Sequence, residues 1–323
     1  MSTEIMKWGD DAMYESQPMN IQGDRIVPRV FMLSGTPDPL GNLAADMRMY
    51  RGDPVYSLNE VTDEERTWAW DELSKTRLNT PLEGVQVKFM LEAVTRSFTH
   101  QMVRQRVGAY YVQESLRFAV KRGLAKETAL PPSIVPGSVS SEGALRIWDT
   151  AIEMAQEAYN RLVDSGIPAE DARGLLPHAI TTRIIYTTNL RALFEVAGSR
   201  LCTQAQFEWR AVFMEMMKAM SDHSNMIADA GPIMVIDAWQ WKLIATPMPT
   251  TFTPICYKLG KCQFMSELDR GCTIRDRVQR FAERGVPSTR WSGENDRDRI
   301  DVAEWMANPR AGVTDDEHNR RPE

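Results

Sequence analysis

The sequence predicts a mixed fold of α-helices and a few β-strands, and three patterns carry that prediction. Residues 141–164 repeat apolar side chains at the spacing of a helix that is buried along one side. Residues 85–89 alternate apolar and polar side chains, which is the period of a strand. Residues 179–188 are rich in isoleucine, threonine and tyrosine, which favour strands. We therefore expect both kinds of element in one protein.

Length and composition limit what this chain can be. Its 323 residues are 43% hydrophobic, which is enough for one large domain or two modest ones. The formal net charge is −6, and an acidic chain without an extended basic face is not expected to bind nucleic acid. Four cysteines are too few for a disulfide scaffold, no apolar run reaches membrane-spanning length, and the first residues are too polar for a signal peptide. We expect a cytoplasmic protein, in a cell or in an infected host, without a membrane partner.

The elements before residue 80 are predicted from short local signals. An apolar run at 29–33 predicts a strand, and residues 40–50 predict a short helix. Thr62 and Glu65 have the spacing of a capping box, which predicts a helix from there to about Lys75.

The segment Thr80-Pro81-Leu82-Glu83 allows two interpretations. It has the pattern of a capped helix start, in which a threonine cap is followed by proline. The strand-like alternation after it favours a short turn that feeds a strand. In that case Thr80 and Glu83 are free at the entrance of the strand, where ligand contacts are common.

An arginine-rich stretch between residues 96 and 122 is the most informative part of the sequence. It holds five arginines and one lysine against a single acid, Glu114. Arginine binds phosphate or carboxylate in bidentate geometry, and neighbouring glutamines could read a ring edge. The arginines are interleaved with valine and aromatic residues that pull the stretch inward, where unpaired charge is costly. We therefore favour a site for a small anion such as a phosphate over a solvated helix end.

Apolar spacing predicts that this stretch begins as a helix through Val94, Phe98 and Met102. On such a helix Gln101 and Arg104 would share one face, because they are three residues apart.

Gly108 then predicts an exit into a loop, which would present Arg106 and Ser115 to a ligand. Residues 130–140 are rich in proline, glycine and serine and are expected to form a linker.

Later elements are mostly helical. Residues 168–175 predict a short helix, and residues 190–220 predict a long one that is broken near Gly198-Ser199. A further helix is expected at 274–283, and a charged tail follows from about residue 288.

Two arginines in this second half need partners. Arg191 and Glu195 stand four residues apart on a predicted helix and could simply pair. Arg200 lies among apolar residues, so it needs either a ligand or an internal ion pair, and composition does not separate the two.

Several common motifs are missing. The sequence has no glycine-rich dinucleotide fingerprint, no Walker loop and no nucleophile elbow. Cys256, Cys262 and Cys272 could bind a metal together with a fourth ligand, but they lack the close spacing of a metal-binding pair, so we favour free thiols and no metal site.

Six short motifs occur in a fixed order over roughly residues 60–225. They are Thr80-Pro81-Leu82-Glu83, Phe98-Thr99-His100-Gln101, Arg104-Gln105-Arg106, Ser115-Leu116-Arg117-Phe118, Asn189-Leu190-Arg191, and Arg200 to Arg210 with its core Ala205-Gln206-Phe207-Glu208-Trp209. Together they resemble the motifs of the flavin-dependent thymidylate synthases.

That resemblance implies α+β subunits, with an antiparallel or mixed sheet flanked by helices. It implies a homotetramer whose active sites are shared between subunits. The implied reaction is the reductive methylation of dUMP at C5, in which methylenetetrahydrofolate supplies the carbon and NADPH reduces bound FAD.

The resemblance also implies a site, with Arg200 as the catalytic residue that stabilises negative charge on the pyrimidine. The residues implied for dUMP are Gln101, Arg104, Gln113, Glu114, Ser115, Leu116, Arg117, Arg173 and Arg200. The residues implied for FAD are Thr80, Glu83, Arg104, Gln105, Arg106, Gln113, Asn189, Arg191 and Glu195.

Three positions depart from the family pattern. Gln105 replaces the middle histidine of Arg-His-Arg, Leu78 stands near a position that is often histidine, and Glu195 stands where Asn or His is common. These changes leave two alternatives open: a related enzyme that delivers another C5 substituent, such as hydroxymethyl, or a catalytically silent dUMP-binding relative.

The resemblance divides the chain into three parts. Residues 1–60 form an N-terminal extension with the first strand and helix, and residues 61–228 form the core. Residues 229–323 form a C-terminal extension whose charged tail is expected to be disordered.

Overall fold

A computed structural model describes residues 21–22, 25–26, 28–75, 79–131, 134, 141–202, 205–221, 238–246 and 251–259. The helix expected at 274–283, the charged tail, Cys262 and Cys272, and most of the linker at 130–140 lie outside these residues.

The centre of the fold is a four-stranded antiparallel sheet. Two short strands, β1 (Ile21–Gln22) and β2 (Arg25–Ile26), pair with each other ahead of it. The sheet consists of β3 (Arg29–Gly35), β4 (Gln86–Thr95), β5 (Ala109–Gln113) and β6 (Thr181–Asn189). Its order is β3-β4-β6-β5, and each neighbouring pair is antiparallel. The expected α+β architecture is confirmed, and the sheet is antiparallel rather than mixed.

Helices surround this sheet. They are α1 (Pro39–Tyr50), α2 (Asp63–Lys75), α3 (Pro81–Gly84), α4 (Arg96–Met102), α5 (Leu124–Glu127), α6 (Ser141–Asp164), α7 (Ala169–Ala172), α8 (Leu190–Arg200), α9 (Phe207–Ser221), α10 (Ala238–Ala245) and α11 (Ile255–Leu259). Turns of 3-10 helix occur at Leu58–Glu60 and Arg173–Leu175. No helix in the described part of the chain is long and apolar enough to cross a membrane.

Side-chain caps set where several helices begin. Thr62 and Glu65 form the predicted capping box: the Glu65 N–H donates to Thr62 Oγ1 at 3.2 Å, and the Thr62 N–H donates to the Glu65 carboxylate at 2.8 Å. Thr95 caps α4, and Asn189 caps α8. Both central strands therefore pass directly into a capped helix, at opposite ends of the sheet because the strands are antiparallel.

One face of the sheet is buried under α9 and its neighbours. Alternate residues of β4 and β6, including Phe89 and Tyr186, form this face, and α9 packs against β3 and β4. Tyr186 stacks on Tyr111 of β5 with ring centroids 5.3 Å apart. Trp209 of α9 packs on Phe98 of α4 at 4.4 Å, which ties the covering helix to the start of the arginine-rich stretch.

The other face of the sheet is less covered. Its central row is formed across the four strands by Phe31, Met90, Ile185 and Val112. Val112 is 58% exposed, and Tyr110 on the same edge strand is 53% exposed. We call these five residues the open sheet face.

Part of the C-terminal extension packs on the core. The Gln240 side chain of α10 donates a hydrogen bond to Asp38 and accepts one from the backbone N–H of Leu40. Trp241 of the same helix lies so close to Gly35 that a Cβ there would be 2.4 Å from the indole. Residues 238–246 are therefore attached to β3 and α1. The boundaries at 60/61 and 228/229 stay predictions.

Two predictions about the arginine-rich stretch were wrong. Val94 lies on β4 and not on a helix, because β4 pairs with β6 as far as Thr95. The helix ends at Met102, so Gln101 is helical but Arg104 lies in the following turn and does not share a helical face with it.

The segment after Gly108 is also different from the expected loop. Gly108 has φ +70°, and the chain then enters edge strand β5, which pairs with β6. Further on, the break expected near Gly198-Ser199 is not there: α8 continues to Arg200, and α9 begins at Phe207. Gly198 stays helical and buried, and Ile255 of α11 packs next to it.

We predict that Gly108→Ala destabilises the protein by at least about 2 kcal/mol. The left-handed backbone alone costs about 1–2 kcal/mol for an L-residue, and the new Cβ would lie 2.8 Å from the capping side chain of Asn189. Gly52→Ala is the matched control, because Gly52 has φ +76° but open space around it. Urea unfolding should show a clearly smaller loss for Gly52→Ala. Equal losses would contradict a steric role for Gly108.

Candidate functional site

The residues expected to bind ligands lie around α4 and at the two ends of β6. Gln101 lies on α4, and Arg104 lies in the turn that follows it. Arg200 is the last residue of α8. Gln101 and Arg200 are about a hundred positions apart in the sequence, yet both contact Trp209 of α9.

Gln101 belongs to a chain of hydrogen bonds that runs along α9. The indole N–H of Trp209 donates to Gln101 Oε1 at 3.1 Å. Gln101 Nε2 donates to Gln206 Oε1 at 2.6 Å. Gln206 Nε2 in turn donates to the carboxylate of Glu208 at 3.1 Å.

Glu208 ends this chain in the protein interior. It is 3% exposed, and its carboxylate accepts hydrogen bonds from both the N–H and the hydroxyl of Thr95, each at 2.6 Å. Burial raises the pKa of Glu208 to about 7, although the hydrogen bonds from Thr95 and Gln206 favour the charged form. No cation in the described part of the chain forms a salt bridge with it.

Arg200 and Arg104 form a cationic pair beside this chain. The Arg200 guanidinium carbon lies 5.2 Å from the ring centroid of Trp209. Burial, and secondarily the nearby charge of Arg104, lowers the pKa of Arg200. Neither arginine forms a salt bridge with any carboxylate in the part of the chain that the structure describes. Of the two partners expected for Arg200, an internal ion pair is therefore not found among the described residues.

A second pair of arginines lies near the end of β5. Arg96 Nη2 donates to the backbone carbonyl of Glu114 at 2.9 Å, while its Nε is buried and has no hydrogen-bond partner in the described part of the chain. Burial lowers the pKa of Arg96; Glu114 opposes this shift and Arg173 adds to it. Arg173 is exposed, and its Nε donates to the carbonyl of Glu170 at 3.0 Å.

The residues from Gln113 to Arg117 line this second pair. Gln113 Nε2 donates to the hydroxyl of Thr99 at 2.8 Å. The carboxylate of Glu114 lies 3.5 Å from the ammonium of buried Lys121. Ser115 Oγ accepts the backbone N–H of Arg117 at 3.3 Å. These contacts shape the turn.

Two other residues of this turn, Leu116 and Arg117, differ in their exposure to solvent. Leu116 is buried, whereas Arg117 is exposed and its Nε forms a salt bridge with Glu170 at 2.7 Å.

Most residues expected to hold a flavin lie at the other end of β6. Arg191 forms salt bridges with both Glu195, at 3.1 Å, and Glu83. The i,i+4 pairing considered for Arg191 is therefore present, and the prediction that Glu83 is free was wrong. Thr80 is exposed, and its side chain does not cap α3. The side chain of Asn189 caps α8.

The loop before β5 carries the remaining flavin candidates. Gln105 Nε2 donates to the carbonyl of Val107 at 3.3 Å, and Arg106 is exposed. Tyr111 has a buried hydroxyl without a hydrogen-bond partner among the described residues. Burial raises the pKa of Tyr111, and Arg106 is close enough to oppose that shift.

The structure thus gathers the predicted residues into three groups within one subunit. The first contains Gln101, Arg104 and Arg200; the second contains Gln113 to Arg117 with Arg173; the third contains Thr80, Glu83, Asn189, Arg191 and Glu195. Sequence reasoning assigned no role to Arg96 or Glu208. Their signals were present, because Arg96 opens the arginine-rich stretch and Glu208 lies within the last motif.

Comparison with known proteins places this arrangement in context. Residues 32–224 match the family model described as thymidylate synthase complementing protein. A flavin-dependent thymidylate synthase from Geobacter sulfurreducens is 36% identical over 208 residues, which are 63% of this chain and 87% of the relative. One from Sulfolobus acidocaldarius is 34% identical over 196 residues, 60% of this chain and 72% of the relative. Among solved structures, a UMP/dUMP methylase from Streptomyces cacaoi is 22% identical and covers 60% of this chain and 90% of its own, with a TM-score of 0.48.

We predict that Glu208→Gln changes how stability depends on pH. A carboxyl with a raised pKa stabilises the folded state through its bound proton, fully below the unfolded pKa of about 4.5 and not above the folded pKa of about 7. The free energy of unfolding of the wild type should therefore fall relative to Glu208→Gln between pH 4.5 and 7, by up to about 3 kcal/mol. Denaturant unfolding across this range measures the difference.

Glu215→Gln is the control, because Glu215 lies on the same helix but is only partly buried. A constant difference between wild type and Glu208→Gln at every pH would contradict the raised pKa.

Proposed function

Because this chain belongs to the thymidylate synthase complementing protein family, whose curated relatives are flavin-dependent thymidylate synthases, we propose that it converts dUMP to dTMP with a bound flavin. The observation that carries the proposal is the pair Arg104 and Arg200 beside Gln101. Arg200 is partly buried, Arg104 is exposed beside it, and neither forms a salt bridge with a carboxylate in the described part of the chain; a ligand with negative charge would stabilise this arrangement.

Arg200 is the proposed catalytic residue. C5 of uracil is a poor nucleophile until negative charge develops across the pyrimidine ring. Arg200 is held against the Trp209 indole, and preorganised positive charge in a partly buried place stabilises such an anion without reorganisation. Partial burial reduces the screening of the guanidinium by water, and the same burial lowers the pKa of Arg200. Gln101 would supply hydrogen bonds to the ring edge.

The second arginine pair is the proposed site of the dUMP phosphate. Ser115, Arg117 and Arg173 supply a hydroxyl and two exposed guanidinium groups, and Arg96 adds a buried N–H without a described acceptor. Such charge-assisted donors suit a phosphate. Gln113, Glu114 and Leu116 would shape the turn through the contacts that they make in its interior.

The donor set at the other end of β6 fits a flavin dinucleotide. Arg191 keeps further N–H groups beyond its two salt bridges, and Thr80, Arg106 and Gln105 offer partly or fully exposed polar side chains. The buried hydroxyl of Tyr111, near Arg106, has no hydrogen-bond partner among the residues that the structure describes. We propose that these residues, with Glu83, Asn189, Glu195, Arg104 and Gln113, hold FAD. When bound, the flavin supplies the redox chemistry of the reaction.

The overall reaction balances with two co-substrates. Methylenetetrahydrofolate supplies a CH₂ unit to C5, the C5 proton leaves to solvent, and a hydride equivalent from NADPH completes the methyl group. No protein nucleophile is required. The residues of this chain bind, orient and polarise dUMP.

Subunit assembly is part of the proposal. The open sheet face exposes Tyr110 and Val112 on an edge strand beside the loop of Arg104 to Val107. An apolar sheet face of this kind is typical of an interface. We propose that a second copy of the chain covers it in a homotetramer. The residues that bind the phosphate in one subunit and the residues that bind the flavin in another then meet in a shared active site.

A second candidate function is a related C5 modification of dUMP, such as hydroxymethylation. Gln105 favours it, because its side chain donates to the Val107 carbonyl and has no titratable ring where the family has histidine.

We predict that purified protein releases tritium from C5-labelled dUMP only with FAD, NADPH and methylenetetrahydrofolate together. The product should be dTMP by mass spectrometry, and a hydroxymethyl product would favour the second candidate.

Arg200→Ala should lower turnover by at least about a thousandfold, because it removes a preorganised charge at the developing anion. Arg161→Ala is the control, since Arg161 is exposed on α6 and, among the described residues, its side chain forms a salt bridge with Glu157 on the same helix.

Near-normal turnover of a folded Arg200→Ala enzyme would contradict the catalytic assignment. Binding of dUMP and flavin without any release from the wild type would identify a silent relative.

We predict that light scattering gives a mass of four chains for the wild type. Val112→Glu should dissociate the tetramer and abolish turnover, because it places a charge in the covered face. Ile147→Glu is the control, since Ile147 is 74% exposed on α6, away from the sheet. A wild-type monomer with full activity would contradict shared active sites.

A further inference from the structure

The hydrogen-bond chain from Trp209 to Glu208 has a fixed direction. An indole N–H can only donate, so Gln101 must turn its carbonyl oxygen toward Trp209. An ionised carboxylate can only accept, so Gln206 must turn its amide nitrogen toward Glu208. The contact between the two glutamines then has one possible polarity, with Gln101 Nε2 donating to Gln206 Oε1 at 2.6 Å.

These hydrogen-bond directions account for the oxygen and one N–H of the Gln101 amide, and leave its second N–H to be considered. Its Oε1 accepts from Trp209, and one N–H of Nε2 donates to Gln206. The second N–H of Nε2 has no acceptor among the described residues. Because Trp209 also carries Arg200 on its ring face, this N–H belongs to the same small region as the proposed catalytic guanidinium.

We propose that Glu208 is a positioning residue for the pyrimidine site: together with the Trp209 indole at the other end, it fixes the direction of this chain and so keeps an N–H donor of Gln101 available to the C4 carbonyl oxygen of the base. The inference rests on the proposed function, because it assumes that Gln101 contacts the pyrimidine. Uracil presents a carbonyl at C4 where cytosine presents an amino group. A donor is therefore matched to uracil and opposed to cytosine, and Glu208 contributes to the choice of base without touching it.

Burial makes this arrangement rigid. Glu208 is held at its other end by the N–H and hydroxyl of Thr95, which also caps α4, the helix that carries Gln101. Both ends of the amide chain are thus attached to α4 or α9. An amide that reversed its orientation would face two donors toward each other in a partly buried place, and this mismatch is costly.

Reversing the polarity at one position tests the inference. Glu208→Gln keeps the shape but places an amide where the carboxylate was, so that Gln206 has no obligatory acceptor. At pH 8, where Glu208 is ionised, we expect dUMP to bind the flavin-loaded variant roughly tenfold to a hundredfold more weakly, the effect of one misdirected hydrogen bond. Discrimination between dUMP and dCMP should fall by a similar factor. Isothermal titration calorimetry with each nucleotide measures both.

A swapped pair separates positioning from a structural role. In the double variant Glu208→Gln with Gln206→Glu, residue 206 again accepts from Gln101 and also accepts from residue 208. The original polarity of Gln101 is restored, and most of the lost dUMP affinity and base discrimination should return. A role in stability alone would not be rescued, because the double variant still lacks the carboxylate at Thr95.

Two further variants complete the design. Glu215→Gln makes the same substitution on α9 outside the chain and should leave dUMP binding unchanged. Gln101→Glu removes the N–H donor directly and should match the loss of discrimination in Glu208→Gln.

The inference is overturned if Glu208→Gln binds both nucleotides as the wild type does, or if the swapped pair is no better than the single variant. A wild type that binds dUMP but never releases its C5 hydrogen contradicts the proposed function, and the binding comparison still decides the role of Glu208.

Discussion

The interaction on which the site depends is the buried contact between Glu208 and Thr95. One carboxylate accepts the N–H and the hydroxyl of Thr95 at the point where β4 becomes α4. It thereby joins the covering helix α9 to the central sheet and to the helix that carries Gln101. Because burial penalises its charge, Glu208 is stable there only with all of its hydrogen bonds made. The end of β4, the cap of α4 and the side-chain amide of Gln101 are therefore coupled through a single side chain.

The arginines of the proposed site differ in how their charge is balanced. Arg191 and Arg117 form salt bridges with acids of the same chain, and each guanidinium keeps further N–H groups for a ligand. Arg200 and Arg96 are partly buried without a described carboxylate partner, and burial lowers the pKa of both. A protein tolerates partly buried guanidinium groups where a bound anion balances their charge. The two places differ in shape: one lies against an indole and suits a flat ring, whereas the other lies in a polar turn and suits a phosphate.

The antiparallel sheet explains why the groups of the site are separated within one subunit. β4 and β6 run in opposite directions, so their capped helices, α4 and α8, begin at opposite ends. The residues proposed to bind the phosphate lie near the start of β6, and most of those proposed to bind the flavin lie near its end. Tyr110 and Val112 are exposed on the edge strand between them, and the proposed second copy of the chain would bring the two sets of residues together there.

Local signals in the sequence determined much of this protein. The Thr62–Glu65 capping box, the amphipathic helix at 141–164 and the alternation after Val85 were predictable because each depends on neighbours within a few residues. The order of motifs determined the family. Tertiary structure decided what depends on distant partners: Val94 joins a strand because β6 pairs with it, and the segment after Gly108 becomes β5 because β6 offers a free edge. It also decided that Arg191 meets Glu83 and that Glu208 meets Thr95, since contacts between residues more than a hundred positions apart leave no spacing in the sequence to read.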